Sequence, residues 1–301
     1  MTRIVCCGEG MLELARRGGR WDLSYGGDTL NTAIHLARLG ENVAYLTALG
    51  DDPFSAQLKQ EWRAEALDTT LALRHPTRIA GLYAVTTDSL GERSFTYWRE
   101  ASAAREMFEL EGSEAAVAQA TRADLLYFSL ITLAILTPVG RKALLRLAEQ
   151  VRANGGDVAY DNNFRARLWT SSQDAVHVHE AAISVASLGL PTLEDETAIT
   201  LKATEPSRLQ EHWAQLGCGD VVVKLGPDGC MLPSGDVIAP DNRLTPVDTS
   251  GAGDAFNAGY LSAHLRAKSA QEAALSGHRL AGWVISHPGA LPARDADSPY
   301  A

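Results

Sequence analysis

The sequence predicts an α/β fold with a mostly parallel, covered sheet and a second, smaller sheet beside it. Short apolar runs recur at residues 4–7, 43–46, 125–128, 158–160 and 221–224, and read as strands buried on both faces. Between them the apolar residues adopt helical spacing, as in Leu30, Ala33, Ile34 and Ala37 and again in Leu144, Leu147, Ala148 and Val151. Strands alternating with helices imply a parallel sheet with the helices packed on it. Residues 78–87 and 93–98 break this rhythm with strict alternation about a turn at 88–91, which is a hairpin pattern.

The first strand contains Cys6 and Cys7, which read as small buried hydrophobes; with Cys218 and Cys230 they show no metal-ligand spacing, so free thiols are expected. Residues from about 11 to 24 join the hairpin at about 78–100 in the small sheet. No Pro/Ser-rich linker sets that sheet apart, so it is expected as an insertion in one domain over 1–301. Residues 26–40, GGDTLNTAIHLARLG, place two glycines and polar Asp28 and Asn31 at a helix start. Two readings stand: Asp28 caps the helix with Asn31 solvated, or Gly27 lets a ligand approach the backbone while Asp28 and Asn31 bond its hydroxyls. On the hairpin, Tyr97 and Arg99 fall on one face of a strand, either as cross-strand packing with a solvated guanidinium or as a ring and a cation for a negatively charged small molecule.

Beyond the strand at 158–160 comes DNNFRARLW, where the active sites of open parallel sheets lie. There Arg165 suits a carboxylate, Asn163 a hydroxyl or a nucleotide phosphate, Asp161 a hydrated cation and Arg167 a structural salt bridge. Pro138 marks a helix start. The turn Lys224-Leu225-Gly226-Pro227-Asp228-Gly229 follows a buried strand and by itself is ordinary turn chemistry. His278 is expected at the start of a late helix, where a lone His is more often a satisfied polar residue.

Residues 248–261, DTSGAGDAFNAGYL, put two glycines and an acid ahead of an apolar helical run. Gly251, Ala252 and Gly253 offer backbone donors at a helix N-terminus to an anion, and Asp254 in the first turn is placed to take the proton of an attacking hydroxyl. The alternative is tight packing with Asp254 complementing the helix dipole.

That segment closely resembles the C-terminal signature of the ribokinase-like (PfkB) carbohydrate kinases. GGDTLNTA, FTYWREASAA, DNNFRARLW and GHRLAGWVISHPGA resemble the branch of that family that phosphorylates 2-keto-3-deoxygluconate, and the resemblance covers essentially the whole chain. It implies a three-layer α/β/α domain with a small β-sheet lid, and transfer of phosphate from ATP to the 6-hydroxyl of the sugar acid with Mg2+. It makes Asp254 the base and Gly251–Gly253 the anion hole. Gly27, Asp28, Asn31, Tyr83, Tyr97, Arg99 and Arg165 become substrate contacts, and Asn163, Thr192, Lys224, Gly226, Gly229 and His278 nucleotide contacts. The family's Asn-x-x-Glu motif, which orders Mg2+ through water, is replaced by Thr192-Leu193-Glu194-Asp195, leaving Asp195, Glu194 or Glu196 for that task; Leu130 stands where close relatives often have Gly. Alternatives are a kinase of fructose, ribose or 5-keto-gluconate, and a non-catalytic sugar-acid sensor.

Composition limits the partners. A net charge of −10 over 301 residues opposes binding to nucleic acid or to an anionic membrane. No apolar stretch is long enough to span a bilayer and MTRIVCCGEG lacks signal-peptide character, so a cytoplasmic location is expected. There is no Walker A loop, no protein-kinase glycine loop and no Gly-x-Ser-x-Gly elbow. The open edges of a lid sheet suit a homo-oligomer.

Overall fold

The computed structural model describes residues 2–17, 19–87 and 93–300, so the expected turn at 88–91 lies outside the described residues. The chain opens with β1 (Arg3–Cys7), runs through the hairpin β2 (Met11–Arg17) and β3 (Arg20–Gly26), enters α1 (Asp28–Arg38) and returns in β4 (Asn42–Leu49). α2 (Pro53–Ala64), begun by Pro53 and capped by the Asp52 side chain, leads to β5 (Ala72–Arg74), β6 (Gly81–Thr87), β7 (Arg93–Trp98), α3 (Ser113–Ala120) and β8 (Leu125–Ser129). α4 (Leu130–Ile135), α5 (Pro138–Ala153), β9 (Asp157–Asp161), α6 (Ser172–Val185), β10 (Leu188–Gly189), α7 (Leu193–Thr200) and α8 (Pro206–Leu216) follow. β11 (Asp220–Val221), β12 (Val223–Lys224), β13 (Cys230–Met231), β14 (Val237–Ile238), α9 (Ala252–Leu265) and α10 (Ala270–Ile285) complete the described strands and α-helices.

The main sheet has seven parallel strands in the order β11-β10-β9-β8-β1-β4-β5. Strand alternation divides the core in two: Val5, Cys7, Leu126 and Phe128 face one side, Ile4, Cys6, Leu125 and Tyr127 the other. Leu144, Val178 and Trp213 bring α5, α6 and α8 onto the first face; Ile34, Trp62, Leu261 and Val284 bring α1, α2, α9 and α10 onto the second. The result is the expected three-layer architecture. Each fully buried Leu or Ile of these layers contributes about 1.5–3 kcal/mol by leaving water. All four cysteines are buried with free thiols; burial pushes those of Cys218 and Cys230 up to about 12.

A separate four-stranded sheet, β3-β2-β6-β7, carries the expected hairpin, with β3 running on to Gly26. The run at 221–224 is not one strand: β11 closes the main sheet, while β12 starts a small antiparallel sheet with β13 and β14. After α10 the chain returns across α1, where His35 holds both Tyr300 Oη (2.6 Å) and the Ala290 carbonyl (3.0 Å). Burial holds that imidazole neutral, at about 3. Among the described residues no helix is long and apolar enough to cross a membrane.

Candidate active site

Strand order reverses between β1 and β8, because β4 and β5 lie on one side of β1 and β8 to β11 on the other. Ligands of open α/β sheets bind beyond the carboxyl ends of the strands at such a point. Here a cleft of about 1470 Å³ opens, lined by Asp28, Asn31, Asp161, Arg165, Lys224 and Asp254 among others.

α9 begins at Gly251, whose left-handed φ of 72° no side chain could share cheaply, and it has no side-chain cap. The Ala252 amide reaches back to the Thr249 carbonyl at 3.3 Å, no side chain among the described residues caps the turn, and Gly251, Ala252 and Gly253 all line the cleft. Asp254 follows in the first turn, 8% exposed, accepting a hydrogen bond from Asn31 Nδ2 at 2.8 Å. Burial pushes its carboxyl up to about 8; Asp28 and Asp161 nearby add to the rise, while Asn31 and Lys224 oppose it. Such a group is a far stronger base than an ordinary carboxylate.

α1 enters the site through Gly27, at φ 143°. Asp28 is the first residue of α1; its carboxylate accepts from Ser129 Oγ and, at 3.4 Å, from Asn163 Nδ2. Burial raises its pKa, partly offset by Ser129. Asn31 spends its amide on Asp254, while its Oδ1 is buried and has no partner among the described residues. A buried acceptor at a cleft wall calls for a donor from a ligand.

The cleft face of the four-stranded sheet presents Met11, Glu13, Tyr83 and Phe95. Glu13 accepts from Tyr83 Oη and from Ser24 Oγ (3.2 Å). Tyr97 stacks on Tyr83 at 5.6 Å but stands off the wall, with the Arg167 guanidinium 3.7 Å above its ring. The contact of Arg167 is thus with an aromatic face rather than the expected salt bridge. Arg99 departs further from expectation: it lies beyond the end of β7, is buried, and forms an ion pair with Glu9 behind the cleft wall. Arg99 Nε and Glu9 Oε1 are left without partners among the described residues.

Arg165 is on the wall, its side chain 45% exposed and 3.8 Å from Asp195. Glu194 and Asp195 both line the cleft, whereas Glu196 turns inward to His179 (3.2 Å) and Asn162 (3.1 Å). Burial opposes the charge of Glu196, but those partners hold its pKa below the usual range. Burial lifts Asp195 to about 6, with Arg165 opposing. An acid at that place on the wall fits a hydrated divalent cation. Among the described residues no group of three or more His, Cys, Asp or Glu side chains could hold a metal alone, so most ligands would come from phosphate and water. Asp161 is committed elsewhere: Lys224 Nζ (3.1 Å) and Asn257 Nδ2 (2.7 Å) both donate to it.

Thr192, Gly226 and Gly229 line the wall. Lys224 does too, pointing back toward α9 rather than along the turn it precedes. His278 also lines the cleft, in the middle of α10 rather than at its start, bonded to the Ile238 carbonyl at 2.9 Å. Leu130 packs wholly into the core, leaving its neighbour Ile131 at the wall. Sequence reasoning missed Glu13, Ser129 and Asn257. Asn257 had a signal, since three residues beyond Asp254 is the same side of a helix.

Residues 1–296 match the family model described as "pfkB family carbohydrate kinase". The chain belongs to the pfkB family of carbohydrate kinases. This pfkB member is 41% identical, over 98% of each chain, to 2-dehydro-3-deoxygluconokinase of Escherichia coli (strain K12). Its fold matches the crystal structure of 2-dehydro-3-deoxygluconokinase from Thermotoga maritima with a TM-score of 0.83, at 21% identity and covering 97% and 96% of the two chains. It likewise matches fructokinase from Vibrio cholerae O395, solved with fructose, ADP and a calcium ion, with a TM-score of 0.81 at 24% identity, covering 96% and 94%. The helix-flanked parallel sheet and the small second sheet are thus the family's fold, as expected from the sequence.

Proposed function

We propose that this kinase transfers the γ-phosphoryl group of ATP to the 6-hydroxyl of 2-keto-3-deoxygluconate. The observation that carries the reading is Asp254, a buried carboxylate at the uncapped start of α9 in a cleft that also presents Arg165. The name of the Escherichia coli relative, 2-dehydro-3-deoxygluconokinase, supports the choice of acceptor. Asn31 Oδ1, Asp28 and Gly27 receive the sugar's hydroxyls, with Glu13 and Tyr83 closing over them from the four-stranded sheet, which acts as a lid inserted in one kinase domain. Arg165 binds the carboxylate end. Arg99, paired with Glu9, contributes positive charge that opposes the rise in the Asp28 pKa. The nucleotide runs along Asn163, Thr192, Gly226, Gly229 and His278. Mg2+ bound with ATP neutralises phosphate charge, held through water by Asp195 and Glu194.

Asp254 takes the hydroxyl proton as oxygen attacks phosphorus, and the Gly251–Gly253 amides stabilise the charge of the transferred group. ADP release measured over a panel of sugars and sugar acids tests the reading: 2-keto-3-deoxygluconate should give the highest kcat/KM. Higher values with fructose or ribose would reassign the acceptor, and no release with any would remove the kinase. Arg165→Ala should raise KM for the sugar acid roughly 10- to 100-fold, the worth of a charged hydrogen-bonded pair, while kcat stays within a few fold. An unchanged KM would place the carboxylate elsewhere.

The lid's outer face carries Trp21, Leu23 and Trp98, 51%, 41% and 54% exposed, between edge strands β3 and β7. Such a face suits its own copy across a two-fold axis, and we propose that two copies of this chain pair through it. Trp98→Glu should halve the mass seen by light scattering at low micromolar protein; a monomeric wild type would refute the pairing.

A further inference from the structure

We propose that Lys224 is a catalytic residue whose ammonium grips the transferred phosphoryl group from the side of the anion hole, with Asp161 and Asn257 acting as the yoke that aims it. The inference rests on the kinase reading above. Lys224 ends β12, with its backbone N–H fixed to the Pro191 carbonyl at 2.7 Å. Its side chain is 9% exposed and sends Nζ to Asp161 Oδ1 and Asn257 Oδ1, both at 3.1 Å. Asn257 is held in turn, donating to Asp161 Oδ2 at 2.7 Å and to Tyr127 Oη at 3.1 Å. An ammonium has three donors in a tetrahedral arrangement. Two are committed, and no described residue takes the third.

The position of that third donor is informative. A Cβ built on Gly253 would stand 3.7 Å from Lys224 Nζ, so the ammonium lies at contact distance from the space that the glycine leaves open. That space borders the first amides of α9, and both Lys224 and Gly253 line the cleft. Three carboxylates, Asp28, Asp161 and Asp254, gather at this end of the cleft. They repel an incoming phosphoryl group, and the neutral amides of one helix end carry only partial charge against them. A fixed ammonium beside the amides supplies the missing whole charge, where low dielectric makes it count. A merely structural buried pair would have no reason to face the glycine gap.

In the transfer, the bond between the acceptor oxygen and phosphorus forms as the bond from phosphorus to the β,γ-bridging oxygen breaks. The bridging oxygen leaves with the electron pair on ADP, and the hydroxyl proton passes to Asp254. Lys224 gives up no proton; it follows the charge on the oxygens of the phosphoryl group.

The test uses Lys224→Gln, assayed with whichever acceptor gives the wild type its highest turnover, so that a wrong acceptor and a wrong role for Lys224 give different results. The expected outcome is a fall in kcat of roughly 100-fold or more, the size seen on losing one oxyanion donor, with KM for the acceptor and Kd for ADP within threefold. Calorimetry with ADP, Mg2+, acceptor and aluminium fluoride adds a readout independent of turnover. Fluoroaluminate, which mimics the flattened phosphoryl group, should tighten ADP binding by the wild type and not by Lys224→Gln. Should Lys224→Gln fail to fold, the pair Lys224→Met with Asp161→Asn leaves no lone buried charge and carries the same expectations. A kcat within fivefold of wild type in either variant overturns the proposal, as does equal tightening by fluoroaluminate with and without the lysine.

Discussion

Asp254→Asn should reduce kcat roughly a thousandfold while leaving the KM for the sugar acid within a few fold, because the change removes a proton acceptor and little else. Asn has nearly the same shape, and its side-chain carbonyl can still accept from Asn31 Nδ2, which now sits 2.8 Å from Asp254. The carboxyl is raised to about 8, mainly by burial and then by Asp28, so the wild-type kcat/KM should climb with pH as Asp254 loses its proton, levelling above about pH 8. A lower limb near pH 4 would show the base to be an unperturbed carboxylate, and near-normal turnover by Asp254→Asn would remove Asp254 from proton transfer altogether.

The same carboxyl has a cost in stability whose sign follows from linkage. Between its ordinary value of 3.8 and about 8 the folded chain binds a proton that the unfolded chain has released, so through this group stability falls as pH rises across that window. Asp254→Asn removes the dependence. The variant should therefore be more stable than wild type above pH 8, by on the order of a few kcal/mol, and unfold at a higher temperature, with the gap closing toward pH 4. Loss of turnover with a gain in stability separates a catalytic carboxylate from one that serves the fold, where the same substitution lowers both.

What the sequence could reveal of this molecule follows the range of the forces involved. β1, β4, β8 and β9 were legible because strands covered on both faces must be apolar throughout. The start of α9 was legible because glycine, amides and acid act within one turn of one helix. β10 to β14 span two residues each and carry no period; only the neighbouring chain makes them strands. The fate of Arg99 was hidden for a related reason. Its partner Glu9 lies ninety residues away, and alternation along β7 says nothing of a residue just past its end. The choice among Glu194, Asp195 and Glu196 turned on the rotational phase of α7, since successive residues point about 100° apart. That phase is set where His179 and Asn162 draw Glu196 inward and leave the other two at the wall.

Gly27→Ala should be one of the costliest single methyl additions at the sugar-binding end of the site. The backbone there sits at φ 143° and ψ 138°, a region essentially reserved for glycine, and a Cβ would fall 2.3 Å from the Glu9 carbonyl oxygen. Neither side can yield freely. Gly27 O accepts the amide of Asn31 at 2.7 Å, fixing the first turn of α1, while Glu9 is tied through its side chain to buried Arg99. Relief therefore means shifting α1, and with it Asp28 and Asn31, or breaking a buried ion pair, which costs about 3–5 kcal/mol when one charge is left alone. The expected result is a loss of about 3 kcal/mol or more, a fall in Tm of roughly 10 °C and a rise in KM for the sugar acid in whatever folds. Gly155→Ala provides the control. It too has a left-handed φ, of 88°, but its added methyl would meet nothing within 4 Å, so it should pay only the backbone penalty of about 1–2 kcal/mol and keep full activity. Equal losses in the two variants would mean that the close approach of Gly27 to Glu9 does not hold the sugar-binding end of α1 in place.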